Sequence, residues 1–435
     1  MTVEAAVLWD VVEEHLDEAT FLLGRWRAAA RSPRVTLAGL KRTVEPRLLA
    51  HLDGLAVGGS ELAERLLWPL FDKGSKAKAP RAAAAAAALL LDPDLAIRDR
   101  LVETLCTTEV APVRQGLAEA FEVSGRADID EPLRLALYAT AEIPAQIALL
   151  SVLGARRVDP GPILATLLAR PEPELLEAAL RAATAAADRG LCRDHVETSL
   201  AHEIPAVRAA ALRTGLVWNL RAAWQTCLQG ARDGLSKPML YLALLGDKRD
   251  LATLLDALRT PERRLAALFA LGFSGRVEAV EACLPLVADA DPNTAKLAVE
   301  AIAAVTGLPL YQPSFVAPPE EEADEPPPLE EDLTIDLTPK PIDELPRPNG
   351  AAVTKWWSER RSRFDAGRRY LRGMLLSSQA AELALAEGPL RRAGVLATEL
   401  AIRSGGRALL PALRVDQPKA TIPADVALHR EPGWL

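Results

Sequence analysis

Prolines recur at a nearly fixed interval through the middle of this chain, at Pro80, Pro112, Pro144, Pro173, Pro205, Pro238, Pro261 and Pro292. The steps between them are 32, 32, 29, 32, 33, 23 and 31 residues. A period of about 30 belongs to a stacked array of supersecondary units and excludes most other architectures at once. Each proline heads an apolar, alanine-rich segment, as in Pro112-Val-Arg-Gln-Gly-Leu-Ala-Glu-Ala-Phe121, Pro205-Ala-Val-Arg-Ala-Ala-Ala-Leu212 and Pro261-Glu-Arg-Arg-Leu-Ala-Ala-Leu268. Proline suits a first helical turn, because its missing N–H would have no intrahelical partner there.

The segments read as helices. After Pro205, the side chains of Val207, Ala210, Ala211 and Leu212 share one side and leave Arg208 and Arg213 to the other, a helical spacing rather than an alternating one. Gly125, Gly154, Gly190, Gly275 and Gly307 are placed to end such helices. A second apolar run follows each turn, for example Pro162–Leu168 or Leu251–Leu258. The unit is therefore a helical hairpin, and one hairpin alone cannot cover its apolar face. Stacking does so, at about 1.5–3 kcal/mol per buried Leu-sized side chain. Alanines allow close helix approach, so even Ala82–Ala88 reads as a core helix. The expected fold is all-α, an α-solenoid of helical hairpins over 80–312, with curvature changing at the short step from Pro238 to Pro261.

Three other blocks flank the array. Residues 1–79 hold apolar periodic stretches at Val7–Ala30, Leu37–Leu55 and Glu61–Phe71, and are expected to cap the first repeat. Residues 313–350 are proline-rich and carry a net charge of −9. That composition predicts an extended, disordered linker, in which Leu329, Leu333, Ile335 and Leu337 form an apolar interruption. Residues 351–435 carry +6, and 1–312 carry −5, so the overall −8 conceals a segregated chain. The basic block is expected to be a helical module. A helix over Val353–Phe364, prolonged so that Val353, Trp357, Phe364, Leu371 and Met374 share a face, leads it. Helices over Gln379–Ala386 and Pro389–Ile402 and a surface-wrapping tail follow.

Composition bounds the function. No apolar run approaches the ~20 residues that span a bilayer. The acidic start lacks the basic opening of a secretion signal, and Cys106, Cys192, Cys227 and Cys283 are scattered, so a reducing cytoplasm is the expected compartment. Gly74-Ser-Lys76 lacks the upstream glycine of a phosphate loop. Cys192, His195 and His202 do not form a zinc pattern, Asp194–His195 has no positioned nucleophile, and His51 and Asp53 suit helix-end hydrogen bonding. No catalytic, cofactor-binding or metal-ligating residue is assigned. The candidate partner-binding set is Trp356 with Arg360, Arg361, Arg363, Arg368, Arg369 and Arg372. Basic side chains interleaved with tryptophan can also stack bases and hold phosphates. Docking of one face on the solenoid weighs against nucleic acid.

Four strings carry a resemblance. His15-Leu-Asp-Glu-Ala-Thr-Phe-Leu-Leu-Gly-Arg25 and Leu49-Ala-His-Leu-Asp-Gly-Leu55 lie near the start, Phe364-Asp-Ala-Gly-Arg-Arg-Tyr-Leu-Arg-Gly373 and Ala397-Thr-Glu-Leu-Ala-Ile-Arg403 near the end. Together they resemble an uncharacterised bacterial family of HEAT-repeat proteins with PBS-lyase-type HEAT-like repeats. The resemblance implies a role near the spike and effector components of type VI secretion systems, beside which such proteins are often encoded. It implies no activity.

The expected function is a non-enzymatic scaffold or adaptor that holds a protein partner. A HEAT-like nucleic-acid-binding protein or enzyme is one alternative. A self-regulated scaffold, in which the acidic linker masks the basic C-terminal surface, is another.

Overall fold

A computed structural model describes residues 7–318, 340–410 and 413–415, with the isolated positions 422, 426 and 428. The expected linker core, with Leu329, Leu333, Ile335 and Leu337, and most of the tail beyond 415 lie outside the described residues.

The chain opens with two long helices, α1 (Trp9–Ala29) and α2 (Leu37–Val57), then the short α3 (Gly59–Leu62), which continues in irregular helical turns to Phe71. Fifteen helices build the array. They are α4 (Ala79–Leu89), α5 (Leu95–Thr107), α6 (Ala111–Val123), α7 (Asp130–Ala139), α8 (Ile143–Arg156), α9 (Ile163–Leu168), α10 (Pro173–Ala182) and α11 (Arg193–Ser199). They continue as α12 (Pro205–Val217), α13 (Arg221–Arg232), α14 (Ser236–Leu245), α15 (Lys248–Ala257), α16 (Pro261–Ser274), α17 (Val277–Cys283) and α18 (Pro292–Thr306). Every proline of the repeat lies in the first turn of an even-numbered helix. The protein is an all-α helical solenoid.

The even-numbered helices pack on one another as one layer, and the odd-numbered ones close the hairpins outside it. Burial follows: Ala82–Ala88 are all buried in α4, as are Leu149, Leu150, Val152 and Leu153 in α8. Gly116 of α6 shows why small residues are needed, since a Cβ there would come within 2.5 Å of the Ala79 carbonyl oxygen. The one loose joint in the layer is between α12 and α14, which scarcely touch. It lies one repeat before the short proline step, where α14 and α16 pack closely. The joint is loose because α14 reaches α12 through α13, with Pro238 seated on Gly230.

Two of the five glycines act as helix C-caps: Gly275 and Gly307 adopt φ of +68° and +76°. Gly154 instead lies inside α8, where Ala182 of α10 passes 3.3 Å from where its Cβ would be, and Arg157 takes the left-handed position. Gly190 opens a 3-10 turn, and Gly125 follows α6 without positive φ.

Arginine closes the hairpins. The fourth residue of an even helix reaches back to carbonyls that the preceding outer helix leaves unpaired. Arg114 donates to Leu105 O and Thr108 O, Arg208 to His202 O (2.6 Å) and Glu203 O (2.7 Å), and Arg264 to Leu258 O (3.0 Å). Gln146 does the same to Thr140 O at 3.0 Å. Arg156, at the end of α8, is wholly buried against α6: it donates to Phe121 O (2.9 Å), Ser124 O (2.8 Å) and Arg126 O and pairs with Asp130.

The N-terminal helices cover α4, and they also reach the far end of the array. In the α1–α2 link, Pro33 O accepts from Tyr311 Oη (3.0 Å), and Ser32 Oγ donates to Glu344 (2.5 Å). His15 of α1 and His51 of α2 are joined Nδ1 to Nδ1 at 2.9 Å, with Gly54 against the His15 ring.

Both described ends of the acidic segment are ordered and meet. Phe315 is buried, Ala317 N donates to Arg347 O (2.9 Å), and Asn349 N donates to Phe315 O (2.8 Å). Its linker character therefore does not extend over 313–318 or 340–350, because Phe315 and Leu345 are apolar enough to join the core.

Removing one buried arginine should cost most where it holds several carbonyls. Arg156→Ala is expected to destabilise by about 3–5 kcal/mol, since Asp130 and the α6 carbonyls lose their donor; denaturant titration checks this. A second outcome concerns pH. Burial pushes the Glu122 carboxyl up to about 7, Arg27 opposes this and Glu119 adds to it. A carboxyl raised above its unfolded value contributes stability that is lost as pH climbs from the ordinary glutamate range through about 7. Glu122→Gln should flatten that loss and raise Tm at mildly alkaline pH, in thermal melts across the range.

Candidate functional site

The basic C-terminal block begins with α19 (Gly350–Arg360), whose start is capped by the Asn349 side chain. The helix ends at Arg360, short of the continuous face expected through Met374. Gly367 and Gly373 at φ of +86° and +85° turn the chain into a two-residue antiparallel hairpin, β1 (Tyr370–Leu371) and β2 (Met374–Leu375). Val353, Trp357, Phe364 and Tyr370 still make one buried aromatic cluster, while Met374 is exposed. Two helices follow, α20 (Ser378–Glu387) and α21 (Leu390–Arg403).

This block runs back along the row of C-terminal ends of the even helices. Eight roughly co-directed helices present there the carbonyls that no intrahelical N–H can reach. Arg372 N and Gly373 N donate to Ala304 O (2.8 Å) and Val305 O (2.9 Å) of α18, and Tyr370 N to Gly275 O beyond α16 (2.7 Å). Arg369 donates to Phe273 O (3.1 Å) and Ser274 O (2.9 Å), and Arg392 to Gly272 O (2.7 Å). Arg403 reaches Leu244 O of α14 at 2.6 Å. Farther on, Arg414 donates to Arg156 O (2.8 Å), and Val415 N to Val123 O of α6 (3.0 Å). Helix α21 touches both α12 and α14, the pair that is loose in the layer.

The seven candidate partner-binding residues consequently divide. Arg369 is committed inside, bridging those carbonyls to Glu399, whose side chain is 3% exposed and also accepts from Arg403. Arg361 pairs with Glu281 of α17 at 2.6 Å and donates to Phe364 O. Arg372 lies on the hairpin, apart from α19, with its backbone bound to α18. Trp356 and Arg360 are stacked, with the guanidinium carbon 4.7 Å from the ring centre, and Arg363 and Arg368 are exposed.

Where the N-terminal link, the end of α18 and the C-terminal block meet, a cavity of about 650 Å³ remains. Leu308, Leu310, Leu371, Leu376, Leu396 and Phe273 form its walls, and Tyr311, Met374 and Leu383 stand partly exposed at its mouth. Its floor contains Glu300 of α18 and Arg392, with Arg391 behind. The Glu300 carboxylate faces Arg391 at 3.6 Å and Arg392 at 3.8 Å, too far to hydrogen-bond. Both Glu300 oxygens and the Nη1 atoms of the two arginines are buried without hydrogen-bond partners among the described residues. Burial foremost pushes the Arg392 guanidinium down to about 10, Glu300 opposes this, and Arg391 adds to it. Neither the cavity nor its charged floor was visible as a motif; the only signal was the Arg391–Arg392 pair at the head of an apolar helix.

Among the other sequence candidates, Cys192 is buried, and His202 Nδ1 accepts from Ile204 N. Among the described residues, no three His, Cys, Asp or Glu side chains group as a metal site, and no helix is long and apolar enough to cross a membrane.

No family model matches the chain, and no curated protein matches it. Among solved structures, the chain is similar to a crystal structure of an engineered protein, at 16% identity and a TM-score of 0.30 over 69% of this chain and 96% of that one.

The internal commitment of Arg369 has a direct consequence. Arg369→Met should loosen residues 364–406 from the array, with faster amide exchange at Tyr370, Arg372 and Gly373, while exchange in α4 and α6 is unchanged. Hydrogen-exchange mass spectrometry resolves the two regions.

Proposed function

We propose that this protein is a non-enzymatic scaffold that binds a protein partner through the exposed face of α19. The observation that carries this reading is the stacked Trp356–Arg360 pair, with Lys355, Arg363 and Arg368 exposed in the same stretch. Tryptophan and arginine are the side chains most enriched where binding energy concentrates, and a stacked guanidinium loses little further freedom when a partner arrives. Arg369, Arg392, Arg403 and Arg414 of the block are spent on helix-end carbonyls and Arg361 on Glu281, which docks the block on the array. An acidic partner surface is the matching chemistry.

The partner class implied by the resemblance to the bacterial HEAT-repeat family is a component of a secretion or effector apparatus. A cytoplasmic location fits that reading. Nucleic acid is the competing ligand for the same face, and salt dependence separates the two, since phosphate contacts release counterions steeply.

The test replaces Trp356 by Ala and Arg360 by Glu in the full chain, alone and together. Crosslinking from a photoreactive residue at Lys355 in the native host should give one discrete protein adduct, lost in the double variant. Trp356, half-buried against the core, should lower Tm by a few degrees when replaced, whereas Arg360→Glu alone should weaken the adduct with Tm within about 1–2 °C of the parent. An adduct that persists, or a nucleic-acid adduct in its place, overturns the proposal.

A further inference from the structure

The cavity at the meeting point of α18, the β1–β2 hairpin, α20 and α21 is separate from the α19 face, and nothing in the scaffold reading uses it. Its size, about 650 Å³, falls within the usual range of small-molecule sites, and its walls are aliphatic and aromatic. An apolar cavity alone would accept any oily molecule. The floor adds a sign.

Four arginines and two glutamates are gathered beneath the apolar walls. Arg369, Arg391, Arg392 and Arg403 have side chains at most 18% exposed, and Glu300 and Glu399 at most 5%. Glu399 is hydrogen-bonded at 2.8 Å to both Arg369 and Arg403. Glu300 faces Arg391 Nη1 at 3.6 Å and Arg392 Nη1 at 3.8 Å, near enough to pair by charge but beyond hydrogen-bond reach, so both Nη1 atoms and both Glu300 oxygens are buried without hydrogen-bond partners among the described residues. The remaining charged residues at the opening, Arg372 and Glu387, are exposed and offset one another. The buried groups therefore carry an excess of positive charge in a poorly solvated place, where an added anion gains most and an added cation loses most. Both stacked arginines are fixed on rings, Arg391 over Phe269 at 4.4 Å and Arg392 over Phe273 at 3.8 Å, so the donors are already oriented.

We propose that this cavity binds a small apolar carboxylate, of the long-chain fatty-acid type, with its chain along Leu308, Leu371, Leu376 and Leu396 and its head group against the Arg392 guanidinium, which lines the floor. Glu300, the Phe273 ring and Gly272 O hold that guanidinium in place. No bond is made or broken.

The full chain is titrated calorimetrically, near neutral pH and below micelle-forming concentrations, with dodecanoate, dodecanol and dodecylammonium. Dodecanoate should bind one per chain, and dodecanol at least about tenfold more weakly, as expected for the loss of a charge-assisted hydrogen bond. Arg392→Gln should cost dodecanoate a similar factor and leave dodecanol unchanged. Because Arg392 also holds Gly272 O, a second variant at the exposed mouth, Met374→Glu, guards against a folding effect: it should weaken dodecanoate alone, with Tm unaltered. Trp356→Ala should change none of these values, which keeps this result distinct from the partner reading. Failure of dodecanoate to bind, equal binding of dodecanol, or preference for dodecylammonium overturns the proposal. So does binding of a peptide with a free apolar C-terminus when dodecanoate does not bind.

Discussion

Unpaired carbonyls at helix ends set the terms of this fold. A hairpin array points its inner helices the same way, so their C-terminal ends gather on one edge, each with several orphan acceptors and the negative end of its dipole. Isolated, such an end is worth little; repeated eight times along one edge and partly buried, it demands donors. The chain supplies them twice. Within the array, Arg114, Arg208 and Arg264 close the outer helices, and Arg156 closes α6. Beyond the array, Arg369, Arg392, Arg403 and Arg414 do the same along the other edge, helped by the backbone N–H groups of Tyr370, Arg372 and Gly373. The basic block is thus a structural strap along the array, and its positive charge answers helix-end carbonyls together with the few carboxylates Glu281, Glu300 and Glu399.

That explains what could and could not be read from the amino-acid order. The proline period placed all eight inner helices, because the cause is local: proline fits a first turn whatever surrounds it. The helices α19, α20 and α21 were likewise visible as apolar periodicity. The destination of the arginines was not, because a backbone carbonyl has no sequence signature; Arg369 and Arg368 are neighbours, one buried on Glu399 and the other in water. The glycines failed for a related reason. Gly154 and Gly275 look alike in sequence, yet one is required by the closeness of α10 and the other by a left-handed turn.

A free-ended solenoid tolerates bending between repeats, since each unit touches only its neighbours. Here the link between α1 and α2 holds the far end through Tyr311 and Glu344, and Leu390 N and Arg391 N donate to Val35 O and Ser32 O of the same link. Strain that an open array would spread along its length is confined. The loose joint between α12 and α14 is where the layer yields, and α21 lies against both helices there, with Arg403 bound to the end of α14. The bridge is consistent with a structure that needs one joint to close and one helix to brace it.

Closure also accounts for the cavity. Three stretches far apart in sequence meet at the end of α18, and none of them was patterned to fill the space between the others. Alanines at 303 and 304 keep α18 slim on that side, Pro33 and Pro389 stiffen the approaching backbones, and Arg391 and Arg392 arrive on α21 because the carbonyl of Gly272 and the rings of Phe269 and Phe273 hold them there. Glu300 then balances only part of that charge. A closed array braced by arginine on carbonyl oxygens thereby acquires, at its seam, an apolar hollow with a buried arginine cluster beneath it. The same interaction that secures the helices gathers buried arginines there that Glu300 and Glu399 only partly balance.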